Sequence, residues 1–330
     1  MRAFITGGNG FLGAHLIEKL LSEGLEVTAF IRKSSRLTEL KSPERIQFVY
    51  GDITDKVSIV EALRVSKPDV VFHLAGYIGY KKAERPLMDA INVHGTRNLI
   101  EAMVETKVPK LVHMSSVVAV GAGYRPTEIL DESSKFNLSP LNLGYFETKR
   151  QAEELVVKAT QQGEIKSVIL NPSTIYGPAD AKKGSRKTQL KVAQGKFKFY
   201  TSGGVSVVSV EDVIEGIYRG FKVGRNGERY ILSGENILIK ELFEKIAGFA
   251  GVPAPSIYLP DVALHMIGRA GDLITRLGKP VSLSQENAWT ATLFHWFKND
   301  KARKELGIDF KPADYSIKQS VDWMRENKLI

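Results

Sequence analysis

The sequence has 330 residues, of which 43% are hydrophobic, so it can bury the core of one large domain or of two ordinary ones. It has no cysteine, which excludes disulfides and thiolate chemistry. The formal net charge is +9, but the basic residues are spread along the chain, so nucleic-acid binding is not expected. No apolar run reaches the roughly 18 residues of a membrane span, and no signal architecture begins the chain. We therefore expect a soluble, cytoplasmic protein.

The beginning of the chain predicts a strand, a tight glycine turn and a helix. Ala3–Ile5 is a short apolar run, and apolar residues recur with a helical period after the glycines. Glycines let main-chain N–H groups approach a pyrophosphate at a helix N-terminus, which predicts a dinucleotide site. The spacing is ambiguous, because Gly8, Gly10 and Gly13 fit G-x-G-x-x-G while Gly7, Gly10 and Gly13 fit G-x-x-G-x-x-G.

A basic loop follows the second predicted strand, Glu26–Ile31. A site for NAD(H) commonly places an acidic residue about 20 residues past the glycines, where it bonds the adenosine ribose. Ile31 stands there instead, and Arg32, Lys33 and Arg36 follow it. These residues favour NADP(H) over NAD(H), because their charges can pair with a 2′-phosphate. An exposed basic loop without a ligand is the alternative interpretation.

Strands and helices alternate through the first half of the chain. Further strands are predicted at Ile46–Tyr50, Asp69–Leu74, Lys110–Met114 and Lys166–Leu170. The sequence thus predicts an α/β fold, a doubly wound parallel sheet of the Rossmann type, over residues 1–172. Later strands near 205–235 are expected to return to this sheet. Residues 173–330 are interpreted mainly as a smaller C-terminal substrate domain.

Several polar and aromatic residues stand where predicted strands end. Asp52 can meet an adenine, or can serve only as a turn and capping residue. His73 is interpreted as a buried structural histidine, since no partners at ligand spacing indicate a metal site. Tyr77, Tyr80 and Tyr124 lie on loops after strand ends and are candidates for a substrate pocket, because α/β sheets bind ligands at the carboxyl ends of their strands.

Two later segments each allow two interpretations. The aromatic cluster Trp289 and Phe294–Phe297 is interpreted as core, although it could line a ligand site. A basic cluster is either a solvated surface or a site for an acidic substrate; it consists of Lys182, Lys183, Arg186, Lys187, Lys191, Lys196 and Lys198.

A predicted helix beginning near Leu143 carries Tyr145 and Lys149 four residues apart, on one helix face. A phenol, with an ordinary pKa of about 10, exchanges protons poorly at neutral pH unless a nearby cation stabilises the phenolate. Lys149 can supply that cation. A hydroxyl from the preceding strand end, Ser115 or Ser116, can hold a carbonyl oxygen beside the phenol.

In sequence order these motifs resemble the extended short-chain dehydrogenase/reductases, and within them the dihydroflavonol-4-reductase-like group and its bacterial hopanoid-associated relatives. The resemblance covers nearly the whole chain. It is carried by Thr6-Gly7-x-x-Gly10-x-x-Gly13, Asp52, His73-Leu74-Ala75, Asn92, Ser115-Ser116, Tyr145-x-x-x-Lys149 and Asn171-Pro-Ser-Thr-Ile-Tyr-Gly-Pro178.

The resemblance implies a role for each of these residues. Tyr145 would donate a proton to a carbonyl, Lys149 would lower the pKa of that phenol and hold the nicotinamide ribose, and Ser116 would orient the substrate oxygen. Together with the loop and strand-end arguments above, this gives the predicted cofactor residues Thr6, Gly7, Asn9, Gly10, Phe11, Leu12, Gly13, Arg32, Lys33, Arg36, Asp52, Ile53, Leu74, Ala75, Gly76, Asn92, Tyr145, Lys149, Pro172 and Ser173. The predicted substrate residues are Tyr77, Tyr80, Ser116, Tyr124 and Asn171.

The first functional hypothesis is therefore an NADP(H)-dependent reductase of a ketone or aldehyde on a small organic substrate. The alternatives are a nucleotide-sugar epimerase or dehydratase and a cofactor-sensing regulator without catalysis. Ile31, Ala119-Val120-Gly121 and Ser209 differ from residues common in sugar-nucleotide epimerases, which argues against the first alternative. The regulator is disfavoured because the chain keeps Tyr145 and Lys149. A homodimer is expected by analogy only.

Overall fold

The computed structural model describes residues 1–180, 186–277, 281 and 284–330. Its main sheet has seven parallel strands, which confirms the predicted fold class. In chain order they are β1 (Arg2–Thr6), β2 (Glu26–Ile31), β3 (Ile46–Tyr50), β4 (Val70–His73), β5 (Lys110–Met114), β6 (Lys166–Pro172) and β10 (Arg229–Leu232).

The strand order across this sheet is β10-β6-β5-β4-β1-β2-β3. The chain thus winds outward in one direction from β1 and in the other from β4, which leaves a crevice at the carboxyl ends of these two strands. An open cleft of about 630 Å³ lies at the opposite, amino ends of the strands, beside Arg2 and Asp69. Ligands of such sheets bind at the carboxyl ends, so the amino-end cleft is not the candidate site.

Helices cover both faces of the sheet and bury its apolar side chains in two clusters. One cluster packs Leu16, Ile17 and Leu20 of the first helix against the sheet, and the other packs Ile59 and Leu99 of two later helices. The helices are α1 (Phe11–Ser22), α2 (Lys56–Ser66), α3 (Arg85–Met88), α4 (Gly95–Thr106), α5 (Gly144–Gln161), α6 (Lys187–Ala193), α7 (Val210–Val223), α8 (Ile239–Ala250), α9 (Asp261–Arg276), α10 (Gln285–Thr292) and α11 (Ala313–Glu326).

The second half of the chain builds a smaller lobe around a second sheet. Its strands are β7 (Thr174–Tyr176), β9 (Gly204–Ser209), β11 (Glu235–Leu238) and β13 (Phe294–His295), and a separate pair is β8 (Phe199–Tyr200) with β12 (Ile257–Tyr258). Of the later strands expected in the main sheet, β10 joins it beside β6, whereas β9 lies in the second sheet, where it pairs with β7, β11 and β13. The domain boundary at residue 172 stays a prediction. In the described ranges, no helix is long and apolar enough to cross a bilayer.

A buried chain of hydrogen bonds ties the ends of β1 and β4 to α4. The backbone N–H of Ala75 donates to Thr6 Oγ1 at 3.2 Å, and Thr6 Oγ1 lies 2.7 Å from His73 Nδ1. Nε2 of His73 lies 3.1 Å from Thr96 Oγ1, which donates to the carbonyl of Asn92 at 2.6 Å. Burial lowers the pKa of His73 to about 3, so its ring is neutral and bridges both threonines.

We predict that Thr96→Val lowers the free energy of unfolding by about 1–3 kcal/mol, because it leaves the buried Nε2–H of His73 without an acceptor. Urea denaturation followed by circular dichroism measures this loss. Thr127→Val, at an exposed position, is the matched control and should change stability little. Equal effects of the two substitutions would show that the buried chain adds no stability.

Candidate functional site

The glycine turn between β1 and α1 has the shape of a phosphate-binding loop. Gly7 has a φ of +72°, and a Cβ there would lie 2.7 Å from the backbone nitrogen of Ala75. A Cβ on Gly13 would overlap the carbonyl oxygen of Gly7. α1 begins after Gly10 with no side-chain cap and no acidic residue in its first turn. Its first N–H groups are therefore open to an anion, and the turn fits a pyrophosphate.

The structure also distinguishes the two glycine spacings. Gly7 and Gly13 both occupy places where backbone excludes any Cβ, whereas a Cβ on Gly8 would meet the flexible end of Ile17 at 3.0 Å. The geometry therefore favours G-x-x-G-x-x-G, with Gly10 as the helix cap. At the carboxyl ends of β1 to β4, and on the first turn of α1, lie the predicted cofactor residues Thr6, Gly7, Asn9, Gly10, Phe11, Leu12, Gly13, Arg32, Lys33, Arg36, Asp52, Ile53, Leu74, Ala75 and Gly76.

The basic loop after β2 lies beside the glycine turn. Asn9 Nδ2 is 3.5 Å from the carbonyl oxygen of Arg36, which links the two segments. Arg32, Lys33 and Arg36 are exposed, and none has an acidic partner within 4 Å among the described residues. Asp52 accepts hydrogen bonds from the backbone and hydroxyl of Thr54, which hold its pKa below the ordinary value, with Arg32 contributing further. Asp52 is thus a turn residue with the charge of Arg32 nearby.

Asn92 lies in a π-helical segment, Asp89–His94, that precedes α4. Its buried amide accepts from Tyr77 N at 2.8 Å and donates to Tyr77 O at 2.9 Å, so it clamps the loop after β4. The same Nδ2 donates to Thr148 Oγ1 on α5 at 3.1 Å, and Thr148 donates to the carbonyl of Tyr145. Asn92, predicted as a cofactor residue, thereby fixes the cofactor-side loop relative to α5.

Tyr145 stands at the first turn of α5, with the hydroxyl of Ser116 after β5 close enough to affect its pKa. Burial raises the pKa of Tyr145 well above its ordinary value, Tyr80 raises it further, and only Ser116 lowers it. The phenol is therefore neutral over the physiological range and has a proton to give. The hydroxyl of Ser116 also accepts from the backbone N–H of Val118 at 3.4 Å.

Lys149 lies one turn further along α5, buried, and donates to the carbonyl oxygen of Met114 at 2.7 Å. Burial lowers the pKa of Lys149 to about 8, and Glu153 raises it in part. Burial dominates the pKa of Tyr145, while the ammonium of Lys149 bonds a strand-end carbonyl. That Lys149 lowers the pKa of this phenol stays a prediction.

Beneath these two residues lies a buried carboxylate, Glu153. It accepts from Ser115 Oγ at 2.5 Å, from Asn171 Nδ2 at 2.7 Å and from Arg229 Nη1 at 3.1 Å. Ser115 is thus committed to Glu153, which leaves Ser116 as the serine that meets Tyr145. Asn171, predicted to line the substrate pocket, is fully buried, and its Nδ2 donates to Glu153 and to the carbonyl of Ser116. Its Oδ1 has no hydrogen-bond partner in the described part of the chain, and its role in the pocket stays a prediction.

Two residues predicted to contact the nicotinamide, Pro172 and Ser173, lie at the carboxyl end of β6, the strand beside β5. Pro172 ends β6, and the buried hydroxyl of the next residue, Ser173, has no hydrogen-bond partner in the described part of the chain. Such an orphaned hydroxyl fits a polar ligand group, because an unpaired buried hydroxyl is costly. The site therefore fits a nicotinamide dinucleotide at both its pyrophosphate and its nicotinamide ends.

The three predicted pocket tyrosines differ in their surroundings. Tyr80 raises the pKa of Tyr145 and is therefore near its hydroxyl. Tyr77 donates to Glu84 Oε1 at 3.1 Å, so its hydroxyl is already engaged. Tyr124 is 46% exposed, and its ring meets the edge of Trp289 at 6.5 Å between centroids.

Two contributors from the second lobe escape the sequence patterns. Trp289, interpreted there as core, packs in one apolar cluster with Tyr145 and Leu143. Glu286, which belongs to no motif, accepts a hydrogen bond from the backbone N–H of Tyr145 at 3.3 Å. The aromatic cluster in the sequence is the signal that points to Trp289. No signal in the sequence marks Glu286, because its partner lies 141 residues away.

The basic cluster is only partly described. Lys182 and Lys183 lie outside the described residues. Arg186 is buried, stacks on the Tyr176 ring at 4.0 Å and lies 3.8 Å from Asp180, so its charge is already compensated. The lysines of this cluster that follow it, Lys187, Lys191, Lys196 and Lys198, are exposed.

Comparison with known proteins gives consistent matches along the chain. Residues 3–232 match the sequence profile of the NAD dependent epimerase/dehydratase family. The chain is 29% identical over 336 residues to a Synechocystis sp. protein named, provisionally, a dihydroflavonol 4-reductase, covering 99% of this chain and 95% of that protein. It is 28% identical to "Sterol demethylase protein B" of Methylococcus capsulatus, with both chains fully covered.

A solved structure agrees with these sequence matches. The crystal structure of gox2253 superposes with a TM-score of 0.87 at 30% identity, covering 99% of both chains. The resemblance drawn from the sequence motifs is thereby confirmed. The chain belongs to the NAD dependent epimerase/dehydratase family, whose members are extended short-chain dehydrogenase/reductases that bind a nicotinamide dinucleotide.

Proposed function

We propose that this protein is an NADP(H)-dependent oxidoreductase that reduces a ketone or aldehyde on a bulky, largely apolar substrate. The observation that carries the proposal is the neutral, buried phenol of Tyr145 at the start of α5, with the hydroxyl of Ser116 nearby at the carboxyl end of β5. A neutral phenol beside an oxygen-binding hydroxyl can protonate a carbonyl oxygen as it becomes an alkoxide. Family membership supports the same assignment.

The residues divide the chemistry as follows. The bound dinucleotide supplies hydride to the carbonyl carbon. Ser116 donates a hydrogen bond that orients the carbonyl oxygen, and Tyr145 gives that oxygen its proton. The ammonium of Lys149, four residues along the same face of α5, then stabilises the tyrosinate and holds the nicotinamide ribose. Water exclusion by the apolar cluster around Tyr145 strengthens these interactions.

The preference for the phosphorylated cofactor rests on the loop after β2. Ile31 is buried and apolar at the position from which a carboxylate would bond the ribose. Three exposed cations without acidic partners in the described chain follow it, namely Arg32, Lys33 and Arg36. A doubly charged phosphate pairs favourably with such side chains, and Arg can bind it bidentately.

An apolar substrate is favoured by the wall of the site. Tyr145 packs with Leu143, Phe146, Trp289 and Leu293 in one cluster. The relative from Methylococcus capsulatus is named for a sterol, which is a bulky apolar molecule. A sugar nucleotide is less well supported, because the buried cation of the basic cluster, Arg186, already faces Asp180. A cytoplasmic location and a homodimer stay predictions.

We predict that Tyr145→Phe lowers kcat for carbonyl reduction about 10²- to 10⁴-fold, because the carbonyl oxygen loses its proton donor. NADPH oxidation is followed with para-nitrobenzaldehyde, dihydroquercetin and cholestanone as probes. Tyr258→Phe, which removes the hydroxyl of a tyrosine 47% exposed on β12, is the matched control and should retain activity. Undiminished reduction by Tyr145→Phe would refute the catalytic assignment.

Arg32→Asp should weaken NADPH binding at least about tenfold more than NADH binding, because it replaces a phosphate partner with a repelling carboxylate. Dissociation constants for both cofactors can be measured by fluorescence titration. Lys304→Asp makes the same change of charge at an exposed position outside the predicted cofactor site and should affect the two cofactors equally. Equal losses in Arg32→Asp would mean that Arg32 does not meet the 2′-phosphate.

The pKa of Lys149, lowered to about 8, predicts that kcat/KM for reduction declines as the pH rises through that value. The sign follows because Lys149 loses its proton above its pKa, and the neutral amine no longer stabilises the tyrosinate. Glu153→Gln should move the decline to lower pH, since Glu153 raises this pKa. Lys149→Arg should be slower but should show no such decline. A flat wild-type profile to pH values well above 8 would contradict the assignment.

A further inference from the structure

The helix that carries Tyr145 begins without a cap of its own. The residue that precedes α5, Leu143, has no side-chain acceptor, so the first N–H groups of the helix need a partner from elsewhere. Glu286 supplies it. Its carboxylate accepts from the backbone N–H of Tyr145 through Oε1 at 3.3 Å, and its other oxygen lies beside Gly144.

Glu286 is buried, with 7% of its surface exposed, and no Lys or Arg lies within ion-pair distance of it among the described residues. The charged and titratable groups that face it are Arg85 from α3, Asp272 from α9, Tyr80 from the loop after β4 and Tyr145 itself. Arg85 is already paired with the carboxylate of Asp89, four residues later in the chain. The backbone N–H of Tyr145, with the positive end of α5, is therefore the main stabilising contact of the Glu286 carboxylate.

α10 contacts the catalytic tyrosine from two sides. Glu286, its second residue, holds the backbone of Tyr145, while Trp289, one turn later, packs in the apolar cluster that includes the Tyr145 ring. Ser284, which caps α10, also donates to the carbonyl of Tyr80 at 3.0 Å. A displacement of α10 therefore changes the cap, the apolar wall and the Tyr80 loop together.

We propose that Glu286 is a positioning residue: by capping the first turn of α5 it sets the orientation of Tyr145, and it makes that orientation depend on how the second lobe is seated. The inference rests on the proposed function, because it assigns the residue that holds the proton donor in place. Glu286 bonds the backbone of Tyr145 and acts on the reaction only through that residue.

The cap is strongest with the ionised carboxylate, because its negative charge interacts with the helix end. Burial raises the pKa of Glu286 above the ordinary glutamate value, and Asp272 adds to this, while the backbone at the start of α5 and Arg85 oppose it. The cap is consequently weakened when the pH falls through this raised pKa. The kcat of the wild-type enzyme should then fall on the acidic side, at a pH above the ordinary titration range of a glutamate.

The experiment compares three variants of the full chain with NADPH and para-nitrobenzaldehyde. Glu286→Ala removes both acceptors and should lower kcat about 10- to 100-fold, with KM for NADPH unchanged, because a small displacement of a catalytic group has effects of that size. Glu286→Gln keeps one acceptor oxygen and should lose less activity, but it should lack the acidic decline of kcat. Asp55→Ala removes the N-cap of α2, a helix without catalytic residues, and should retain kcat.

Hydrogen exchange, measured by mass spectrometry, provides a second readout. The backbone of residues 144–148 should exchange faster in Glu286→Ala than in the wild type, and Glu286→Gln should fall between them. Unchanged kcat and unchanged exchange in Glu286→Ala would overturn the proposal. If Glu286→Ala does not fold, the pH profile of Glu286→Gln decides. A decline of kcat at acidic pH in this variant would contradict the proposal, and the absence of that decline would support it.

The outcome is separable from that of the proposed function. Inactive Tyr145→Phe together with fully active Glu286→Ala leaves the reductase assignment in place and rejects the positioning role. Fully active Tyr145→Phe rejects the reductase assignment itself. In that case, faster exchange at residues 144–148 in Glu286→Ala would show only that Glu286 caps the helix. The positioning role would then be rejected together with the reductase assignment.

Discussion

The buried carboxylate of Glu153 holds together the strand ends on which the site is built. It accepts hydrogen bonds from Ser115 after β5, Asn171 on β6 and Arg229 on β10, so three neighbouring strands share one anion. Removing a hydrogen-bond donor from a buried carboxylate is strongly destabilising, because the lost bond no longer offsets the desolvation of the charge. These strand ends therefore cannot shift separately. Glu153 lies one turn after Lys149, and its charge opposes the effect of burial on that ammonium.

A second polar network does the same on the cofactor side, and both networks meet on α5. The chain through Thr6, His73 and Thr96 ends at the carbonyl of Asn92, whose amide in turn donates to Thr148. Successive turns of α5 are thus fixed by different parts of the main sheet. The glycine turn and the loop after β4 are held against each other, which sets where a dinucleotide would lie relative to the catalytic helix.

Local sequence signals predicted most of the fold. Apolar runs bounded by turn residues marked β2, β3 and β5 to the residue, because a buried parallel strand is a nearly continuous apolar segment. The glycine turn was predicted as well, but the choice between its two spacings needed the structure, in which backbone excludes a Cβ at Gly7 and Gly13. The bond of Asn171 could not be predicted in this way, since its amide is paired with a carboxylate 18 residues earlier and nothing nearby in the sequence shows that partner. The strand at 204–209 likewise pairs with segments that are distant in the chain, which a local pattern cannot reveal.

The pair Tyr145 and Lys149 illustrates why a motif is not yet a site. Spacing places both on one face of α5, but it does not determine the environment of either group. In the structure Lys149 bonds Met114, and burial keeps the proton on Tyr145, so the ligand-free protein holds a neutral donor instead of a tyrosinate. The start of the same helix is capped by Glu286 from the second lobe. The main sheet thus fixes the lysine while the second lobe holds the backbone of the tyrosine, and the proton donor is oriented only when the two lobes are packed together.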